Sequence, residues 1–141
     1  MTNLTKLGLK PSSPPGILAK SAKEFHISQS VIIPAGLATV ETSGIVGFDE
    51  EGNIPADIKT EIHNAFKNIE TALKHAGVTG GFKSVYHMNS YHTDFSEEHV
   101  AALDAATAEF FGEEYPTWAG IEIKGLSEGA HIEIEVRAIQ A

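Results

Sequence analysis

The run His131-Ile132-Glu133-Ile134-Glu135-Val136-Arg137-Ala138 alternates polar and apolar side chains at every step, and Ile139 closes it. Successive side chains of a β-strand point to opposite faces of its sheet. Ile132, Ile134, Val136 and Ala138 therefore line one face, and His131, Glu133, Glu135 and Arg137 the other. The first face requires a hydrophobic cover; the second does not. The run before it, Trp118 to Lys124, is set off by a Gly125–Gly129 turn. Its alternation sets Ile121 and Ile123 against Trp118, Gly120, Glu122 and Lys124. Matching apolar to apolar puts Trp118 on the Glu133 side. A third run, Ser84 to Thr93, sets Val85, His87, Asn89 and Tyr91 against Tyr86, Met88, Ser90 and His92.

Two amphipathic segments supply the cover. Over residues 57–76, Ile58, Ile62, Ala65, Phe66, Ile69 and Leu73 recur at helical spacing and form one stripe. Asp57 suits the N-cap of this helix, and Gly77 suits the position after its end. A second helix starts at Ser96, with Glu97 and Glu98 in its first turn, where the helix dipole favours carboxylates. Its stripe is Val100, Leu103, Thr107, Phe110 and Phe111, and Gly112 is its expected stop. Upstream, Glu24–Ile33 and Leu37–Ile45 read as strands, with Ala38 and Val40 opposite Thr39, Glu41 and Ser43. Pro34-Ala35-Gly36 between them suits a hairpin. Residues 1–20, with Pro14-Pro15-Gly16, read as an extended lead-in. The expected fold is α+β: a ββαβαββ sheet with two helices on one face, in a single domain spanning 1–141.

The chain has 141 residues and 42% hydrophobic content, enough for one core. It has no cysteine, which removes disulfides, thiolate metal sites and thiol nucleophiles. His87, His92 and His99 span a strand and a helix start without a metal-ligand motif, so no metal and no cofactor is expected. Formal net charge is −9, and Arg137 is the only arginine. Lys6, Lys10, Lys20 and Lys23 all precede the first acidic residue, Glu24. Phosphate backbones and anionic membranes are bound by clustered cations, so neither nucleic acid nor a membrane is an expected partner. Met1–Gly8 has no apolar signal-peptide core, and a cytoplasmic location is the default expectation.

The bare sheet face mixes Trp, Tyr, His, Asn and Glu rather than simple solvating charges. It is either an exposed antiparallel face or a surface that packs against other copies and forms pockets at the seams.

Several motifs, each weak alone, fall in the order and spacing of one family. They are Thr42-Ser43-Gly44-Ile45-Val46-Gly47; Asn68-Ile69 through Ala76-Gly77; Ser90-Tyr91-His92-Thr93-Asp94; Phe110-Phe111-Gly112 with Pro116; and Ile132-Glu133-Ile134-Glu135 with Ala138-Ile139. Across about residues 24–141 the chain resembles the Rid family, also called YjgF-like or L-PSP-like. The resemblance implies a chorismate-mutase-like subunit in a homotrimer, with the sheets forming a central barrel and small-molecule clefts between subunits. It also implies hydrolysis of enamines and imines to keto acids and ammonia. The family arginine that grips the substrate carboxylate stands two residues after the proline; here that position is Trp118. The family tyrosine before the Ser-Gln pair is here Ile27. The family glutamate is kept as Glu133.

Glu133 is the expected catalytic residue, because a carboxyl group in a partly dry cleft can move protons or orient water near neutral pH. Its competing role is an ion pair across a seam. Trp118, Ser43, Gly44, Tyr91, Asn89 and His87 are the expected substrate-binding residues. Glu122 and Glu135 are expected as rim charges, and His92 as structural. Trp118 in place of arginine favours a more apolar substrate. The leading expectation is an imine or enamine deaminase-type hydrolase. The alternatives are a non-catalytic small-molecule-binding or chaperone-like trimer, or an isomerase or cyclase using the same cleft. The ribonuclease activity reported for the family fits the acidic charge poorly.

Overall fold

The computed structural model describes residues 2–141. The elements run β1 (Lys10–Ser12), α1 (Ile17–Phe25), β2 (Ser30–Ile32), β3 (Thr39–Glu41), β4 (Ile45–Val46), α2 (Ile58–His75), β5 (Val85–His92), α3 (Glu97–Phe110), β6 (Thr117–Glu122) and β7 (Ile132–Ile139). The main sheet has the order β3-β7-β5-β6, with β4 also paired to β7. It is mixed, since β5 and β6 run parallel while the pairs with β7 are antiparallel. The α+β architecture with α2 and α3 over one sheet face is the one the alternation dictates.

β7 is the axis of that sheet. Ile132, Ile134, Val136 and Ala138 are all buried beneath the helices, in one cluster with Ile62, Phe66, Ile69 and Leu73 of α2. Full burial of each large aliphatic or aromatic side chain contributes about 1.5–3 kcal/mol. Phe66 stacks on Phe82 and Phe110 with ring centroids 5.1 and 5.6 Å apart. The expected caps are in place. The Asp57 carboxylate accepts the Thr60 N–H at 3.0 Å, and Ser96 Oγ accepts the His99 N–H at 3.2 Å. Gly77 follows the C-cap of α2 at φ 89°.

Several expectations need correction. The N-terminal segment is not an extended lead-in: it holds β1 and α1. Proline lacks only an N–H that a helix start leaves unpaired anyway, so Pro14-Pro15 precede α1 without preventing it. α1 takes Glu24 and Phe25, so β2 shrinks to Ser30–Ile32 and pairs with β1 in a separate small sheet. Pro34-Ala35-Gly36 therefore joins two sheets instead of turning a hairpin. α3 ends at Phe110, because extended Phe111 turns inward to pack on Phe66, Phe82 and Trp118; Gly112 lies beyond. Val100 is 38% exposed and is not part of the core stripe.

The last correction matters most for function. In the parallel β5–β6 pair, Met88 faces Trp118, Ser90 faces Gly120 and His92 faces Glu122. Met88 is fully buried on the helix side. Trp118 and Gly120 therefore lie on the helix side too, and Thr117, Ala119 and Ile121 take the polar face. The short β6 run alternates weakly, and its phase is set by pairing with β5.

Replacing Phe66 with Ala is expected to lower unfolding free energy by about 3–5 kcal/mol, the cost of an aromatic-sized core cavity. Ile121→Ala, 49% exposed on the other face, should change it by under about 0.5 kcal/mol. Urea titrations of the two variants check the difference.

Candidate functional site

The polar face is assembled by β5 and β7, whose register sets Tyr91 opposite Glu133, Asn89 opposite Glu135 and His87 opposite Arg137. Glu135, not Glu133, collects the hydrogen bonds. Its Oε1 accepts from Tyr91 Oη at 2.8 Å and from Asn89 Nδ2 at 3.1 Å. The bond to Glu135 is the main reason the Tyr91 phenol is held above its ordinary pKa, with desolvation adding to it. His87 shares a bond with Thr117 Oγ1 at 2.8 Å. Burial, and then the Arg137 charge, push its pKa down, against a smaller pull from Glu135. Arg137 is paired with Glu41 at 2.9 Å on the surface.

Glu133 is half-buried and carries no partner among these bonds. Between β3 and β4 the register with β7 slips by one residue, and the slip brings Gly44 over Glu133. A Cβ at Gly44 would lie 2.6 Å from Glu133 Cδ and 2.7 Å from Oε2. Only glycine lets the carboxylate lie against this backbone. Thr42 secures the slip: its N–H donates to the Val136 carbonyl at 3.0 Å, and its Oγ1 accepts the Val136 N–H at 3.1 Å, while Ser43 is exposed. Gly44, Phe48, Asn68, His75 and Glu133 line one open cavity of about 740 Å³. Asn68 Nδ2 holds its rim by donating to the Val46 and Phe48 carbonyls, both at 3.0 Å.

Trp118 belongs to a different cavity. Phe25, Ile27, Phe95, Val100, Leu103 and Trp118 form the apolar lining of a space of about 380 Å³, which His92, Asp104 and Gly120 complete. No lining residue is shared with the Glu133 cavity. Within one chain, then, the fold brings Gly44 to Glu133 and brings Tyr91 and Asn89 to Glu135, but sets Trp118 apart from all of them.

The sequence pattern missed a buried chain of polar groups beneath Trp118. Trp118 Nε1 donates to Ser90 Oγ at 2.8 Å. Ser90 Oγ and His92 Nε2 are 2.6 Å apart, and His92 Nδ1 and His99 Nε2 are 2.8 Å apart. The available signal was two polar residues, Ser90 and His92, on the strand face that otherwise packs against helices. Burial, followed by the neighbouring His99, depresses the His92 pKa to about 4; a smaller opposing effect comes from Asp94. Among the described residues no group of three or more His, Asp or Glu is arranged to hold a metal ion. No helix among them is long and apolar enough to cross a membrane.

Comparison with known proteins gives a consistent result. A sequence profile described as Endoribonuclease L-PSP matches residues 23–140. The RutC family protein YjgH of Escherichia coli (strain K12) is 30% identical over 96 residues, which is 68% of this chain and 71% of that protein. The structure of RidA from a Psychrobacter species superposes with a TM-score of 0.65 at 27% identity, covering 92% of this chain and 94% of that one. YyfB of Yersinia pestis, from the Rid family, superposes at 0.77 with 20% identity, covering 93% and 98%.

The buried His92 gives a pH prediction. Between its depressed folded pKa of about 4 and the ordinary 6.5, the unfolded chain binds a proton that the folded chain does not. Stability therefore rises with pH across this window and is lost as pH falls from 6.5 to 4. The loss should reach about 3 kcal/mol, at about 1.4 kcal/mol per unit. Urea unfolding followed through Trp118, the single tryptophan, measures it. His92→Phe should flatten the dependence.

Proposed function

The chain belongs to the Endoribonuclease L-PSP family, and from that premise we propose that it is an imine or enamine deaminase-type hydrolase for a substrate more apolar than amino-acid-derived imines. The observation that carries this is the lining of the Trp118 cavity. The two positions where the chain departs from the family's polar pattern, Ile27 and Trp118, both line that cavity. One departure replaces a tyrosine and the other the carboxylate-gripping arginine, so the pair turns an anion-binding wall into an apolar one. A flat neutral or aromatic group fits such a wall, and burying it adds about 25 cal/mol per Å².

The working unit in this proposal is a homotrimer. Trp118 and Glu133 occupy separate cavities of one protomer, so a second copy must bring a Glu133 surface to a Trp118 cavity. Glu133 then faces the substrate across the cleft. It protonates the imine nitrogen, water adds to the carbon, one proton of that water passes to the nitrogen, and Glu133 recovers its own proton from the remaining hydroxyl as ammonia leaves. Gly44 keeps the carboxylate seated at the cleft edge. Tyr91 and Asn89, committed to Glu135, stiffen the sheet beneath it.

Freshly generated imines supply the test. Aromatic or aliphatic neutral imines are expected to release ammonia faster than alanine- or serine-derived ones. Glu133→Gln should lower kcat by about 100-fold or more, the usual scale of general acid–base catalysis, without loss of ligand binding. Trp118→Arg should shift preference toward carboxylate-bearing imines by about tenfold or more, the scale of a charge-assisted carboxylate contact. Full activity of Glu133→Gln would remove Glu133 from the chemistry, and binding of a ligand with no turnover of any imine would instead identify a non-catalytic binder.

A further inference from the structure

We propose that the cleft is built for a positively charged substrate: an imine that also carries an ammonium group, its apolar chain lying on Trp118 and its charge met by Asp104. This inference rests on the reading that the Trp118 cavity of one copy and the Glu133 surface of another form the substrate cleft. It adds to that reading the sign of the ligand's charge.

The fixed charges lining the two half-sites are all negative. Among the residues of the Trp118 cavity, Asp104 alone is ionised at neutral pH. Burial holds the His92 pKa down at about 4, so that ring is neutral. In the other half-site the carboxylates are Glu128 and Glu133, and the one basic group is His75. No lysine or arginine lines either cavity. Lys20 and Lys23 of α1, close in sequence to Phe25 and Ile27, line neither. A cleft made from these halves therefore sets three carboxylates around the ligand with no guanidinium or lysine ammonium to balance them. Such a cleft concentrates cations and repels a carboxylate-bearing substrate.

Asp104 has no structural task that would account for it. It lies in the interior of α3, beyond the first turn where the helix dipole favours a carboxylate. Aspartate is a poor helix former in such a place. Its neighbours three and four residues away are Val100, Ala101, Thr107 and Ala108, none of them cationic. Among the described residues its carboxylate makes no ion pair and no hydrogen bond; the Thr107 hydroxyl donates to its backbone carbonyl instead, at 2.9 Å. What Asp104 does share is a helix face. Residues i, i+3 and i+4 lie side by side, and Val100, Leu103 and Asp104 all line the Trp118 cavity. One free carboxylate thus stands beside an apolar wall.

The wall itself is suited to a cation. Phe25, Phe95 and Trp118 line the same space, and Phe25 and Phe95 are 60% and 43% exposed, open to an entering ligand. Aromatic rings attract organic cations through their negative faces, tryptophan most strongly. An alkylammonium entering here keeps its chain on apolar surface and exchanges part of its hydration for a carboxylate. The iminium formed when the imine nitrogen is protonated is a cation as well, so the same charges favour the reacting form. An imine derived from a diamine, its second amino group held as an ammonium, meets every part of this lining.

Trp118 is the single tryptophan and lines the cavity, so its emission reports binding without any turnover. Phenethylammonium, phenethyl alcohol and phenylacetate separate charge from shape. At low salt the ammonium is expected to bind about fivefold or more tighter than the alcohol, the scale of a cation–π contact and an exposed ion pair together, with phenylacetate weakest. Asp104→Asn should cut the ammonium's advantage about two- to fivefold and leave alcohol binding unchanged. An imine formed from a diamine should be hydrolysed with kcat/KM about fivefold or more above that of the equally long monoamine's imine, by the same contacts. Equal binding of ammonium and alcohol, or an undiminished advantage in Asp104→Asn, overturns the inference and leaves the apolar cavity standing as a ligand site. If none of the three probes binds, the Trp118 cavity is not the ligand site, and the inference falls with the reading it rests on. If the probes bind in the expected order but no imine is hydrolysed, the reaction alone fails and the charge selectivity stands.

Discussion

Ile132, Ile134, Val136 and Ala138 must be out of water, and a strand can bury them only by turning every other side chain the opposite way. That constraint in β7 fixes much of the remaining structure. It gives α2 and α3 a surface to cover, and it sends Glu133, Glu135 and Arg137 to the bare face. It also forces β5, hydrogen-bonded along β7, to present His87, Asn89 and Tyr91 beside those charges. The carboxylates there owe their positions to hydrophobic burial on the far side of the same strand.

The two candidate half-sites differ in how they are built. At Glu133 the enabling feature is backbone: a one-residue slip between β3 and β4 and a glycine that lets the carboxylate approach. At Trp118 it is side-chain packing, with the indole edge-on to Phe111 at 6.0 Å and its N–H anchored on Ser90. An apolar wall anchored from beneath by a buried polar chain gives that cavity a fixed hydrophobic surface, which suits the neutral body of a ligand.

Legibility in the sequence was uneven. The caps at Asp57 and Ser96, the α2 stripe and the two faces of β7 were readable, as were those of β5 from His87 onward; a bulge between Val85 and His87 instead sets Val85 in the helix-side core and Tyr86 in the other cluster. α1 was hidden by Pro14-Pro15, which reads as a helix breaker although it only precedes a helix. Glu135 was set aside as a rim charge although it gathers Tyr91 and Asn89. Ser90, His92, His99 and Gly120 stood in plain view on two strands and a helix, but nothing local says that they touch.

What the sequence determined by itself was the set of properties that depend on near neighbours: helical stripes, caps, strand alternation and net charge. These are encoded within a few residues, because helix and strand repeats close over that distance. Tertiary structure alone decided which face of β6 carries Trp118, which strand β2 joins, and where the polar chain begins and ends. Each of those depends on a contact between residues far apart in the chain. The energy that selects it, a parallel register or a buried hydrogen bond, exists only once the sheet and helices have come together.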